Sequence, residues 1–157
     1  MAIRFRRHIK ACGDGTLEVR LGSAERALLV EVADELTHEL DQPDDPSLQR
    51  LFPPGYSEDA VRDAGYQMMM GDELRQRHLA AVRGLAATTG AEHLDPAQAE
   101  SWLRSINAVR LVLGTRLGVT DDHQTVRISR DDPNLRSWVA YDFLSLLLDD
   151  LIAAMSI

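Results

Sequence analysis

The chain has 157 residues, of which 45% are hydrophobic and 27% are charged, a composition that fits one folded domain and excludes a disordered acidic tail. Its 25 acidic residues outnumber its 17 basic residues, and the net charge of -8 opposes the coating of DNA or of anionic membranes. Because Cys12 is the only cysteine and no apolar run approaches the roughly 20 residues of a membrane span, we expect no disulfide within the chain, no membrane span and one cytoplasmic domain covering residues 1–157.

Residues 1–21 predict a small, basic β-hairpin. Two strand-compatible runs, residues 3–9 and 16–21, flank a turn in which Gly13 and Gly15 allow a tight reversal of the chain. Five basic and two acidic residues among the first 20 give this segment a charge of +3, which leaves -11 for the rest of the chain.

The start of this hairpin holds a candidate nucleic-acid-binding arm, which consists of Arg4, Phe5, Arg6 and Arg7. The arginines would contact phosphates, and Phe5 would stack on a base. A charged strand edge that discourages aggregation explains the same residues equally well. Because the rest of the chain is acidic, we expect any binding to DNA to be weak.

Cys12 is a candidate redox thiol. It precedes Gly13 at the hairpin turn and has His8 and Lys10 close in the sequence, and an accessible thiol beside basic groups is reactive. The alternative is a small apolar residue at a turn.

Residues 23–157 predict a helical bundle, so the expected fold is mainly α, with five helices. The first helix begins with Ser23 as its cap and Glu25 in its first turn. Apolar residues then recur every three or four positions as far as Leu40. The proline-rich stretch 41–54 predicts a loop with at most one helical turn, which docks its apolar side chains on the bundle.

The next segment predicts two helices in series. Ser57 fits the N-cap position, and Tyr56 and Val61 fit a hydrophobic staple around it. Helix-compatible sequence continues to Thr89, but glycine lowers helix propensity, and we expect a kink or break near Gly71.

Asp95 and Pro96 mark a further helix start, because a capping residue is followed by proline at the first helical position and by Gln98 as a capping-box partner. Gly118 provides a left-handed stop. The predicted core face of this helix consists of Trp102, Ile106, Val109, Leu113 and Leu117.

The C-terminal part is compatible with one further short strand at Val126–Ile128, followed by a last helix that starts at Asp132 and Pro133. This helix is apolar on more than one face, so it is either central in its own bundle or shared with a second copy. We expect a homodimer, because a twofold axis needs only one self-complementary patch. The predicted inward stripe is Trp138, Tyr141, Leu144, Leu148, Leu151 and Met155, and the additional apolar residues are Leu146, Leu147 and Ile152.

Motifs for catalysis are absent from the sequence, which contains no glycine-rich phosphate loop, no GxSxG, no HExxH and no CxxC. Glu35 and His38 have the spacing of two metal ligands on one helix face, but the second pair that a di-iron bundle needs is missing. We therefore predict no catalytic residue, no metal, no cofactor and no enzymatic activity.

Asn107 and Arg110 are polar residues three apart within an otherwise apolar helix, and they can reach a common group. One hypothesis is that they contact a partner or ligand. The alternative is a buried hydrogen-bonded clamp to a neighbouring backbone or to a carboxylate such as Asp142.

Two segments, WLRSINAVRLVLGTRLGV at 102–119 and YDFLSLLLDDLIAAM at 141–155, resemble a bacterial family of domains of unknown function that includes AosR-like oxidative-stress transcriptional regulators. An early FRR, an LL in the first helix and a DP…RLFP stretch at 45–53 are similar as well. The residues that carry the resemblance in the first segment are Asn107, Arg110, Gly114 and Arg116.

The resemblance implies a cytoplasmic helical regulator that acts through protein contacts and promoter DNA, and it makes Arg116 a third candidate contact. Because such proteins are typically encoded near a protease-adaptor gene, the partner is either the transcription machinery or a protease adaptor system. An unrecognised enzyme is the remaining alternative. The redox-sensing version of the family uses two nearby N-terminal cysteines, and this sequence offers only Cys12, which leaves only disulfides to other molecules.

Overall fold

The structure is a computed structural model that describes residues 7–42, 45–52, 59–119 and 130–156. In chain order these residues form β1 (Ile9–Ala11), β2 (Leu17–Val19), α1 (Ser23–Leu40), a 3-10 helix (Pro46–Leu51), α2 (Ala60–Thr88), β3 (His93–Leu94), α3 (Pro96–Leu117) and α4 (Leu135–Met155). The predicted fold class, mainly α with a small β element near the N-terminus, is confirmed. None of the helices in the described ranges combines the length and the apolar character that a membrane span requires.

The sheet has three antiparallel strands in the order β1-β2-β3. Gly13 and Gly15 have φ values of 35° and 90°, a conformation that favours glycine, so the predicted turn is confirmed. The first strand, however, begins at Ile9, where the predicted run 3–9 ends. Strand β3 was not predicted, because two residues between helices carry no strand periodicity. It is recruited by β2, and the Val19 N–H donates to the Glu92 carbonyl at 2.8 Å. The predicted strand at 126–128 lies outside the described residues.

Helix α1 ends at Leu40 as predicted, but Gly22 and not Ser23 is its N-cap. The Glu25 carboxylate accepts the Gly22 N–H at 2.9 Å, which closes the first turn one residue earlier than expected. In place of the expected loop with at most one helical turn, Pro46–Leu51 form a six-residue 3-10 helix, and its Leu48 and Leu51 are buried as the predicted docking requires.

The predicted break near Gly71 is wrong, because α2 is continuous from Ala60 to Thr88. A glycine costs a helix only about 1 kcal/mol and keeps the backbone hydrogen bonds, so the helix continues through Gly71. The helix is capped by Asp59, which accepts the N–H groups of Val61 and Arg62, and not by Ser57, which lies outside the described residues with Tyr56. The five helical elements of the described ranges are therefore four α-helices and the 3-10 helix.

Helix α3 lies at the centre and packs against α1, α2, α4 and the 3-10 helix. Its predicted capping box, with Asp95 and Gln98, is confirmed, and so is its stop at Gly118, which has a φ of 73°. Four residues of the predicted core face are buried, whereas Leu117 at the C-terminal end is only half-buried. The buried four are Trp102, Ile106, Val109 and Leu113.

Helix α4 begins at Leu135, later than predicted, because Asp132 accepts the Asn134 N–H in a preceding turn. Leu144, Leu148 and Leu151 are buried as predicted, and the half-buried Trp138 and Tyr141 pack edge to face. The placement of Met155 on this inward stripe is wrong, because Met155 in the last turn is exposed. Of the three apolar residues assigned to other faces of this helix, one is in the core and two are exposed. Leu147 is 0% exposed and belongs to the core, whereas Leu146 is 59% and Ile152 is 47% exposed.

We expect replacement of Ile106 by alanine to lower the free energy of unfolding by about 2–5 kcal/mol, through lost burial and the cavity left behind. Leu117→Ala is the matched control on the same helix and should cost clearly less, because Leu117 is only half-buried. Denaturant unfolding measures both values. Equal unfolding midpoints for Ile106→Ala and the wild type would contradict this core.

Candidate functional site

A pocket with a basic lining opens between the 3-10 helix, α2 and α3. Its volume is about 230 Å³, and its polar lining consists of Arg50, Arg77, His78, Arg104 and Asn107. We call this set the basic pocket. The rest of the wall is apolar and consists of Leu51, Leu74, Ala108 and Leu111.

Three elements position the polar groups of the basic pocket. Arg50 lies in the last turn of the 3-10 helix, and Arg77 and His78 lie on α2. Arg104 and Asn107 are three apart on α3, a spacing that places them on one face of a helix. Docking of the 3-10 helix and α2 on α3 therefore assembles a site that no single element contains.

Two of the three arginines already share their charge with a carboxylate. Arg77 binds Glu73 at 2.7 Å and Arg104 binds Glu100 at 2.8 Å, each across one turn of its own helix. Arg50 donates to the Val119 carbonyl at 2.8 Å and forms no ion pair within the part of the chain that the structure describes. No acidic residue lines the pocket, so Arg50 is the lining arginine whose charge no described carboxylate neutralises, and its guanidinium lies beside Gly114 and Val119.

His78 is held as a neutral imidazole. Burial lowers the pKa of His78 below its ordinary value of 6.5, and the charge of Arg104 lowers it further. The hydrogen bond between Nε2 and the Leu51 carbonyl, 3.3 Å long, opposes that shift. With the proton on Nε2, the ring ties α2 to the 3-10 helix and adds no charge to the pocket at neutral pH.

Asn107 is a sequence-predicted contact residue that the fold places in the basic pocket. Its side chain is half-buried and forms no hydrogen bond with any residue in the described ranges. A carboxamide carries both donors and acceptors, so this group is available to a ligand that enters the pocket.

Arg110, the second candidate contact, does not line the basic pocket. Its side chain is half-buried, and its buried Nε atom has no hydrogen-bond partner among the described residues. Neither the expected clamp to Asp142 nor a hydrogen-bonded group shared with Asn107 is formed in the described ranges.

Arg116, the third candidate contact, is engaged within the fold. It forms ion pairs with Glu39 of α1 and, at 3.4 Å, with Asp45 before the 3-10 helix. Burial raises the pKa of Glu39 above its ordinary value, and the hydrogen bond from Arg116 opposes the rise. Arg116 therefore stabilises a half-buried carboxylate and links three elements.

The candidate nucleic-acid arm is described only at Arg7, which is exposed, since Arg4, Phe5 and Arg6 lie outside the described residues. The arm leads into a firm anchor at His8. The His8 N–H and Nδ1 contact the Asp150 carboxylate at 2.9 and 3.0 Å, and Nε2 lies 3.2 Å from Glu25.

Cys12 lies at the hairpin turn, partly exposed, with a free thiol. It lines an apolar cavity of about 490 Å³ together with residues of α3 and α4, among them Ala99, Ala154 and Met155. The cavity brings no basic side chain to the thiol, so the expected activation by neighbouring charges has no counterpart there.

Within the described ranges, no group of three or more His, Cys, Asp or Glu side chains is arranged to hold a metal ion. Four polar residues of the basic pocket were missed by sequence analysis. The only available signal was the spacing of Arg104 and Asn107 on one helix, because Arg50 and the α2 residues join them only through tertiary packing.

We expect His78→Gln to make stability less dependent on pH. The unfolded chain binds a proton on His78 at a higher pH than the folded chain does, so acidification from about pH 7.5 to 5.5 favours unfolding of the wild type. Glutamine does not titrate, and the variant should lose less stability over that interval. Urea unfolding at both pH values measures the difference, and parallel losses in the two proteins would contradict the assignment.

Comparison with known proteins identifies one family. A family model described as "Domain of unknown function (DUF2017)" matches residues 3–155. No curated protein and no solved structure matches the chain significantly. Since the match covers nearly the whole length, including every element that builds the basic pocket, the chain belongs to the DUF2017 family.

Proposed function

We propose that this protein is a non-enzymatic regulatory binding protein that acts through contacts with a protein partner. The observation that supports this proposal is the basic pocket, which joins three guanidiniums and an amide free of internal hydrogen bonds on packed helices. The lining contains no hydroxyl, thiol or carboxylate to act as a nucleophile or to pair with His78 as an acid–base partner. Such a lining is suited to recognition.

The resemblance to AosR-like regulators supports a finer form of the proposal, an oxidative-stress-linked transcriptional regulator whose partner belongs to the transcription machinery. A protease-associated adaptor is the alternative. With Cys12 as its only thiol, the protein would respond to oxidants through a disulfide to another molecule. DNA binding, where it occurs, would be weak and would depend on the arm that precedes His8.

Capture of partners from an extract of the native cells tests the proposal. After nuclease treatment of the extract, the wild-type chain should retain a protein partner. The Arg104→Glu variant should retain at least about tenfold less of that partner, because the substitution reverses a charge in the pocket. Arg83→Glu is the matched control, since Arg83 is an exposed arginine of α2 outside the pocket.

Quantitative mass spectrometry of the captured proteins distinguishes the outcomes. Equal capture by the wild type and by Arg104→Glu would contradict a role for the pocket. Loss of all captured proteins on nuclease treatment would show that DNA, and not a protein, is the partner.

We further propose that the chain forms a homodimer through the exposed face of α4 that carries Val139 and Leu146 between Asp142 and Asp149. Leu146 is 59% and Val139 is 58% exposed, and they are seven residues apart, so they lie on one helix face. A twofold axis needs only this one patch.

Sedimentation velocity at micromolar concentration should then show a dimer for the wild type and a folded monomer for Leu146→Glu. Leu147→Glu is the contrasting neighbour and should unfold the protein, because Leu147 is fully buried and a buried unpaired carboxylate is costly. A wild-type species of 17.5 kDa would exclude a stable dimer.

A further inference from the structure

We infer that the basic pocket recognises a protein segment in which an acidic side chain stands next to an apolar one. The inference rests on the proposed function and specifies the chemistry of the partner. Charge, wall composition, size and the free amide of Asn107 each support one part of it.

The charge of the pocket suits a single carboxylate. Arg50 carries the guanidinium that no carboxylate neutralises within the described ranges, whereas Arg77 and Arg104 are each paired with one carboxylate, that of Glu73 or Glu100. A guanidinium binds a carboxylate through parallel N–H donors. The two glutamates one turn away oppose a polyanion much more than a single charge, so a nucleic-acid backbone is disfavoured.

The rest of the wall suits an apolar neighbour of that carboxylate. Leu74 and Leu111 are half-buried and line the pocket beside the arginines. An apolar side chain that covers them removes apolar surface from water, which stabilises binding by about 25 cal/mol per Å². A lone small anion would leave this surface exposed.

The amide of Asn107 suits a polypeptide backbone. One carboxamide can donate to a carbonyl and accept from an N–H, and the backbone of a bound segment offers both groups. Inorganic phosphate also keeps P–OH donors at neutral pH, so the apolar wall, and not this amide, separates it from a peptide segment.

The size of the pocket sets an upper limit on the ligand. Cavities that hold drug-sized ligands measure about 300–1,000 Å³, whereas this pocket measures about 230 Å³. It therefore accommodates one or two side chains of a segment that lies across its mouth, and not an entire nucleotide cofactor.

Titration of the full-length, ¹⁵N-labelled protein with acetyl-Gly-Glu-Leu-Gly-amide tests the inference. Saturable chemical-shift changes should appear at the Asn107 side-chain amide and the Arg50 Nε–H. Peptides with Gln for Glu or Ser for Leu should bind more weakly, the former by about tenfold, as expected for the loss of one charge-assisted hydrogen bond.

Two variants locate the binding. Arg50→Gln removes the unpaired charge. Asn107→Asp places a negative charge in the pocket, which repels the glutamate of the peptide, and it breaks no hydrogen bond with the described residues. Each variant should bind the Glu-Leu peptide about tenfold more weakly. Arg83→Gln should leave its affinity unchanged. Circular dichroism confirms that each variant is folded, and because the Asn107 side chain forms no hydrogen bond with the described residues, its variant keeps the test valid if Arg50→Gln unfolds.

Three results would overturn the inference: no shift at millimolar peptide, equal affinity for the three peptides, or tighter binding of inorganic phosphate at the same signals. Failure of this experiment is distinguishable from failure of the proposed function. If pocket-dependent capture of a partner persists while the peptide preference is absent, the proposed function stands and only the acidic–apolar chemistry is wrong.

Discussion

Helix α3 is enclosed by α1, α2, α4 and the 3-10 helix, and the position of the other elements depends on that packing. Trp102 is fully buried, and its indole N–H donates to Thr88 Oγ1 at 2.7 Å, which joins α3 to the end of α2. The two helices approach closely at Gly84, where an added Cβ would lie 2.7 Å from Ser101 Oγ. This contact holds the walls of the basic pocket at a constant separation, because packed helices resist small displacements.

Arginine has two separate uses in this acidic chain. Arg26 donates to the Thr89 and Ala91 carbonyls at 2.7 and 2.9 Å and so ties the start of α1 to the turn between α2 and β3. Arg116 links α3 to the carboxylates of Glu39 and Asp45. A planar guanidinium reaches several acceptors at once, which suits both tasks. Arg50, by contrast, lines a cavity that has no carboxylate in its lining, and its guanidinium donates to the Val119 carbonyl.

The contrast between the global charge and the local charge gives the pocket its selectivity. At physiological ionic strength, electrostatic interactions are screened within about 8 Å, so the acidic surface repels polyanions that must approach along a broad front. A single side chain that enters the pocket meets the arginines at contact distance. Because apolar walls surround the cations, the pocket then favours ligands that carry an acidic group next to an apolar one.

The sequence by itself determined the local features: the glycine turn of the hairpin, the capping box at Asp95, the stop at Gly118 and most of the buried face of α3. These depend on neighbours within four residues, and a linear pattern records them. Tertiary structure decided the continuity of α2 through Gly71, the recruitment of β3 and the burial of Leu147 while Leu146 remains exposed. It also decided the site, since Asn107 could be singled out from sequence, whereas its association with Arg50 and His78 arises only when the 3-10 helix and α2 dock on α3. Contacts between residues so far apart in the chain leave no periodic pattern, because the packing free energy of the whole bundle selects them.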